Sequence, residues 1–218
     1  MKVRVPATMR GGLRALLGSL VLLLVLFPVL DEGLVGRGVL VIVSTAIGLS
    51  GAYAASRDRR RLATALLLAM PSLAARWAFV FVGTPAVRGA ALVTSIVFYV
   101  YTILLILDYV LGTDEVTGDE IYGAVSVYIL LGFVWGLAYG LLELVRPGSI
   151  RGASGSLRPG DFMYFSFMTL MTVGYGDMSP ADPIARSLAI VEAMVGVIFI
   201  AVLIGRLVGL HAGARRRT

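Results

Sequence analysis

The stretch Asp161-Phe162-Met163-Tyr164-Phe165-Ser166-Phe167-Met168-Thr169-Leu170-Met171-Thr172-Val173-Gly174-Tyr175-Gly176-Asp177 joins a short apolar run to an extended segment with glycine at alternate positions, Gly174 and Gly176. The apolar run, 162–171, is too short to cross a hydrocarbon core, which takes about 20 residues of helix. It reads instead as a re-entrant helix. Glycine accepts backbone dihedrals that other residues resist, so the segment after that helix can turn successive carbonyls toward one axis. Non-helical backbone at membrane depth is tolerated only where protein buries it or a water-filled path meets it. The helix C-terminus carries partial negative charge, which favours a cation beside it, and Asp161 complements the opposite pole. Carbonyl rings around an axis can replace the hydration shell of a monovalent cation.

Outward from this stretch, six long apolar runs appear at 15–30, 34–55, 62–83, 89–112, 121–145 and 184–210. The chain is 58% hydrophobic and only 15% charged, too little polar surface for a soluble protein of 218 residues. The fold class expected is therefore an all-α membrane protein with six transmembrane helices and one re-entrant helix. Basic residues before the first run suggest a signal peptide. Asp31-Glu32 stands where a small-residue cleavage site would be, so the run is read as a retained helix.

Cysteine is absent, which excludes disulfides and thiolate metal sites. Asparagine is absent too, so there is no N-glycosylation acceptor. The net charge of +6 raises nucleic acid as a partner, but the basic residues gather at the ends of apolar runs and argue for membrane topology instead. With the N-terminus inside, twelve basic residues fall on the cytoplasmic side, among them Arg14, Arg57, Arg59–Arg61, Arg206 and Arg215–Arg217. Six fall outside: Arg37, Arg88, Arg146, Arg151, Arg158 and Arg186. Both termini are thus placed in the cytoplasm of a cell membrane, with the acidic loop Asp114, Glu115, Asp119 and Glu120 also inside. Arg76, within the third run, is read as snorkelling to the outer headgroups. Asp108 is expected to pair with the Arg57–Arg61 cluster, and Gly132, Gly136 and Gly140 to allow close helix packing.

From about 121 to 210 the chain resembles the pore module of the potassium-channel family: a long helix, a short helix, Thr172-Val173-Gly174-Tyr175-Gly176-Asp177, and a final span. The resemblance implies that carbonyls of Thr172, Val173, Gly174 and Tyr175 hold potassium ions, with the Thr172 hydroxyl closing the inner site. It implies support of this filter by Gly176 and Asp177, and a Tyr164–Asp177 hydrogen bond. Gly196 has the spacing of the family's inner-helix hinge, though helix packing fits it as well. Val197, Ile200 and Ile204 match cavity-facing positions, an apolar lining able to close by dewetting. Glu192, a costly residue within a span, is expected to face the short helix and bond a hydroxyl such as Ser166 or Thr169. Two departures, Met171 in place of the usual threonine and Met168 in place of a carboxylate, touch filter rigidity rather than ion-ligating atoms.

The domains expected are a four-helix membrane domain over 1–112, a cytoplasmic linker at 113–120, a pore domain over 121–210 and a short basic tail at 211–218. The fourth run carries no basic residue, only Asp108, so the resemblance to voltage-gated architecture does not extend to an arginine-bearing sensor. With about eight residues after the last run, no cytoplasmic ligand-sensing domain is expected. His211 and Arg215–Arg217 are placed at the inner lipid surface, where sensing of pH or anionic lipid is an open reading. One filter segment per chain calls for four chains around an axis, a homotetramer. No catalytic motif is present, so the function expected is passive potassium conduction without an enzyme activity, a cofactor or nucleic acid. A non-selective cation channel of the same fold, or a regulatory subunit that does not conduct alone, are the alternatives.

Overall fold

The computed structural model describes residues 12–30, 33–55, 58–112, 118–152 and 157–215. The chain runs α1 (Gly12–Leu30), α2 (Gly33–Ala55), α3 (Arg59–Val82), α4 (Pro85–Leu111), α5 (Gly118–Val145), β1 (Ile150–Arg151), α6 (Pro159–Leu170), β2 (Ser179–Pro180) and α7 (Pro183–Arg215). Four of these helices, α3, α4, α5 and α7, are long and apolar enough to cross a membrane. In α1 and α2 the apolar stretches are shorter, Gly12–Phe27 and Gly38–Ala54.

Helices begin earlier than the apolar runs because their first turns are polar or proline-led. Pro85, Pro159 and Pro183 each open a helix, where the missing N–H would be unsatisfied anyway. The linker expected at 113–120 shortens for the same reason, since α5 already starts at Gly118. Likewise α4 includes Arg88 in its first turn, so one basic residue does lie on this helix. Gly83, at φ 68°, ends α3 in the left-handed conformation that glycine adopts without penalty.

One hydrophobic core joins α1, α2, α4 and α5 of the same chain, through Leu16, Leu20, Ile47, Phe98, Ile106, Val127 and Leu130. A second gathers Tyr139, Phe162, Phe165 and Ala185 where α5, α6 and α7 meet, with Ile150 of β1 at its edge. Above it β1 and β2 pair antiparallel, Ile150 opposite Pro180 and Arg151 opposite Ser179, tying the α5–α6 connection to the chain that follows the filter segment. Helix α7 rests mainly on α6 and α5 and leaves Val191, Met194, Ile198 and Val202 exposed in the single chain.

Charged groups within and beside the spans have specific partners. Arg61 on α3 pairs with Asp108 on α4, as expected. Arg76 turns toward α2, and its Nη2 donates to Ser44 Oγ at 2.6 Å. Arg206 on α7 donates to the carbonyls of Val110 and Leu111 (3.2 Å to the latter), capping the C-terminal end of α4. Lys2, Arg4, Arg10, Asp31, Glu32, Arg57, Asp114, Glu115, Arg216 and Arg217 lie outside the described residues, as do the side chains of Arg37, His211 and Arg215.

Candidate functional site

The glycines of α5 form the seat on which α6 lies. A Cβ at Gly132 would come within 2.5 Å of the Phe167 ring, and one at Gly136 within 2.5 Å of Met163 Sδ. Only hydrogen at these positions lets the two backbones approach so closely. At the start of α6, the Asp161 carboxylate accepts from the Arg158 amide at 2.7 Å, satisfying one of the donors a helix N-terminus leaves open.

At its other end α6 turns back on itself. The amide of Met171 donates to Phe167 O (3.0 Å) and that of Thr172 to Thr169 O (2.9 Å). Those of Val173 and Gly174 both donate to Met168 O, at 2.9 and 3.2 Å. The amides from Met171 to Gly174 are thus spent on the helix end, and the carbonyls of the segment are left for another partner. Thr172, Gly174 and Gly176 have φ of 56°, 56° and 83°, so every second residue is left-handed. Regular strand backbone points successive carbonyls to opposite sides; alternating the hand of successive residues brings them to one side. No neighbouring atom lies within 4 Å of a Cβ placed at Gly174 or Gly176, so conformation rather than space calls for glycine there. Thr172 is the one non-glycine residue with positive φ among the described residues, a conformation costing about 1–2 kcal/mol. Such strain persists where the surroundings over-determine it and gathers at ligand clamps.

Side chains brace this segment. Tyr164 Oη donates to Asp177 Oδ2 at 2.8 Å, fastening the C-terminal end of the segment to the middle of α6. Behind α6, Glu192 is fully buried (0% exposed). Its Oε2 receives Tyr139 Oη of α5 at 2.6 Å, and Ser166 Oγ of α6 lies 2.5 Å from its Oε1 and 2.8 Å from the Gly132 carbonyl. One carboxyl group thereby links three helices. Of the two hydroxyls expected for it, Ser166 is present, whereas Thr169 donates to Phe165 O of its own helix. At Gly196 a Cβ would overlap the carbonyl oxygen of Leu170, which also accepts from Tyr128 Oη at 3.1 Å. Of the two readings of this glycine, that contact favours packing. Val197, Ile200 and Ile204 are exposed in the single chain, turned away from the helices on which α7 rests.

Tyr139, Tyr128 and Arg206 are site-supporting residues that the sequence reading did not single out. The signal was there for the two tyrosines: each has a polar tip inside an apolar span and needs a partner. Among the described residues no three His, Asp or Glu side chains converge on a metal site.

A family model described as "Ion channel" matches residues 124–210. The chain is 33% identical over 85 residues to the two pore potassium channel c of Oryza sativa subsp. japonica, covering 37% of this chain and 19% of that protein. It is 32% identical over 81 residues to the inward rectifier potassium channel Kirbac3.1 of Paramagnetospirillum magnetotacticum, covering 35% of this chain and 24% of the relative. Protein LctB of Geobacillus stearothermophilus is 36% identical over 106 residues, which cover 44% of this chain and 76% of LctB. The chain thus spans 19% and 24% of the length of the first two relatives. No solved structure matches it.

Proposed function

The chain belongs to the potassium-channel pore-module family, and from that premise we propose that it conducts potassium selectively and passively as a homotetramer. Six helices cross the cell membrane, α6 is re-entrant, and both termini are cytoplasmic. Around the fourfold axis, each chain contributes the carbonyls of Thr172, Val173, Gly174 and Tyr175 and the Thr172 hydroxyl to a row of ion sites. Gly176, Asp177 and Tyr164 hold the outer end of the row.

The observation that carries this reading is the alternating hand of residues 172–176, with the preceding amides folded onto α6. A column of carbonyls on one side matches the chemistry of a dehydrated monovalent cation. The unpartnered face of α7 supports the assembly, since four such faces enclose an axis below the filter. Val197, Ile200 and Ile204 line the cavity there, and Gly196 holds α7 against the filter's supporting helix. With Arg88 as the one basic residue on α4, gating depends little on voltage; gating currents carrying several elementary charges per channel would overturn that part.

The test is the reversal potential of purified protein in planar bilayers under opposed potassium and sodium gradients. Reversal near the potassium equilibrium potential, lost in Gly174→Ala, is the result expected. Reversal near zero makes the pore non-selective. Absence of current under all stimuli, with flux restored by a co-purified partner, makes the chain a regulatory subunit.

A further inference from the structure

Arg76 is a cation seven residues from the Gly83 end of α3, about 10 Å along the helix. A guanidinium has five N–H donors. One of them meets Ser44 Oγ, and neither Arg76 nor Arg88 is paired with a carboxylate among the described residues. A charge at this depth is costly unless a counter-charge meets it. Both arginines, with Arg158, line one half-open cavity of about 540 Å³ between the α3–α4 end of the four-helix bundle and the helices of the pore module. The walls are otherwise largely apolar, with Leu92 of α4, Leu137 of α5 and Phe162 of α6 among them. The cavity therefore combines two unmet requirements, an anion at the arginines and hydrocarbon along the walls.

We propose that this cavity binds a phospholipid through its headgroup phosphate, held by Arg76 and Arg88, with an acyl chain along the apolar walls. A headgroup of net negative charge is preferred, because a zwitterionic one brings its own cation to a cavity already lined by three, Arg158 included. The site lies at the end of the bundle opposite the Arg61–Asp108 pair, and so is distinct from any lipid contact of the basic tail. Because Phe162 and Met163 of α6 share the cavity with Arg76, the lipid wedges between the four-helix domain and the helix that carries the filter.

The experiment is titration of the delipidated full-length protein with phosphatidylglycerol or phosphatidylcholine, read by native mass spectrometry. The expected result is one saturable phosphatidylglycerol per chain, bound at least about tenfold more tightly than phosphatidylcholine, with a loss of about tenfold in Arg76→Gln. Arg76→Lys should retain part of the preference. Arg88→Gln, in the first turn of α4, keeps the test decisive if the Arg76 variant fails to fold, and should also lower the affinity. Equal binding of the two lipids by the wild-type protein, or an unchanged preference in a folded Arg88→Gln, Arg76→Gln double variant, would overturn the proposal. Displacement of the lipid by an equal concentration of inorganic phosphate would overturn the lipid and assign the two arginines to a free anion.

Discussion

Counting protons around Glu192 yields a prediction that separates two chemistries with one pair of variants. Three contacts meet there: Tyr139 Oη to Glu192, Ser166 Oγ to Glu192, and Ser166 Oγ to the Gly132 carbonyl. Each hydroxyl has one proton to donate, and a backbone carbonyl has none. Three simultaneous hydrogen bonds need a third proton, and the prediction is that Glu192 supplies it, as a carboxylic acid that donates to Ser166 and accepts from Tyr139. Glu192→Gln preserves both functions, with the amide N–H₂ toward Ser166 and the carbonyl toward Tyr139, and should cost less than about 1 kcal/mol. Glu192→Ala leaves the fully buried Tyr139 hydroxyl without its acceptor, at about 1–3 kcal/mol. It also opens a void of roughly 60 Å³, worth about 1.5 kcal/mol more. The sum, about 2.5–4.5 kcal/mol, lowers the thermal midpoint by roughly 10 °C in a chain of this size. Thermal unfolding of both purified variants in one detergent is the assay, with the infrared carbonyl band of a protonated carboxyl group as a second readout, present in the wild type and absent in Glu192→Gln. If Glu192→Gln falls as far as Glu192→Ala, the buried group is an ionised carboxylate and the count is wrong. An unchanged midpoint in Glu192→Ala would mean that the network holds nothing together.

Gly196→Ala places a methyl group on the Leu170 carbonyl, an overlap that should cost about 1–3 kcal/mol and displace the end of α6; a wild-type thermal midpoint with unaltered conduction would refute the packing role. Tyr164→Phe removes the bond to Asp177 and should hasten the decay of current during sustained opening; unchanged decay and unchanged block would mean the bond braces nothing. Asp182 accepts from the amides of Ile184 and Ala185 at the start of α7 and pairs with Arg146. Burial pushes its carboxyl upward, but these three donors outweigh that and hold it below the ordinary carboxylate range. A depressed value means that its stabilisation is present above the unfolded-state value and is lost as pH falls through the folded one. The wild-type midpoint should therefore drop on acidification below the ordinary carboxylate range, by more than that of Asp182→Asn; parallel pH profiles for the two would exclude Asp182 as the cause.

Much of this protein was legible in its residues because membrane folds are governed by strong local rules. Apolar runs of span length must be helices, since every backbone group in hydrocarbon needs an internal partner, and each of the six expected runs overlaps an observed helix, four of them long and apolar enough to cross a membrane. Alternating glycines after a short run pointed to backbone with dihedrals that other residues resist, and Gly174 and Gly176 have positive φ; that Thr172 shares it was not foreseen. Helix starts were misplaced by about three to four residues at α3, α4, α5 and α6, because hydropathy does not register polar or proline-led first turns. The tertiary structure alone decided which polar groups meet. Glu192 and Tyr139 are 53 positions apart, Arg206 and the α4 carbonyls 95 or more, and no periodicity within one helix states which face of another it will meet. Arg76 shows this most plainly. A lone arginine in an apolar run has a ready local solution, reaching along its own helix to the headgroups. What turned it toward α2 was the hydroxyl of Ser44 and the space left between helices, and that space exists only once the bundle has packed.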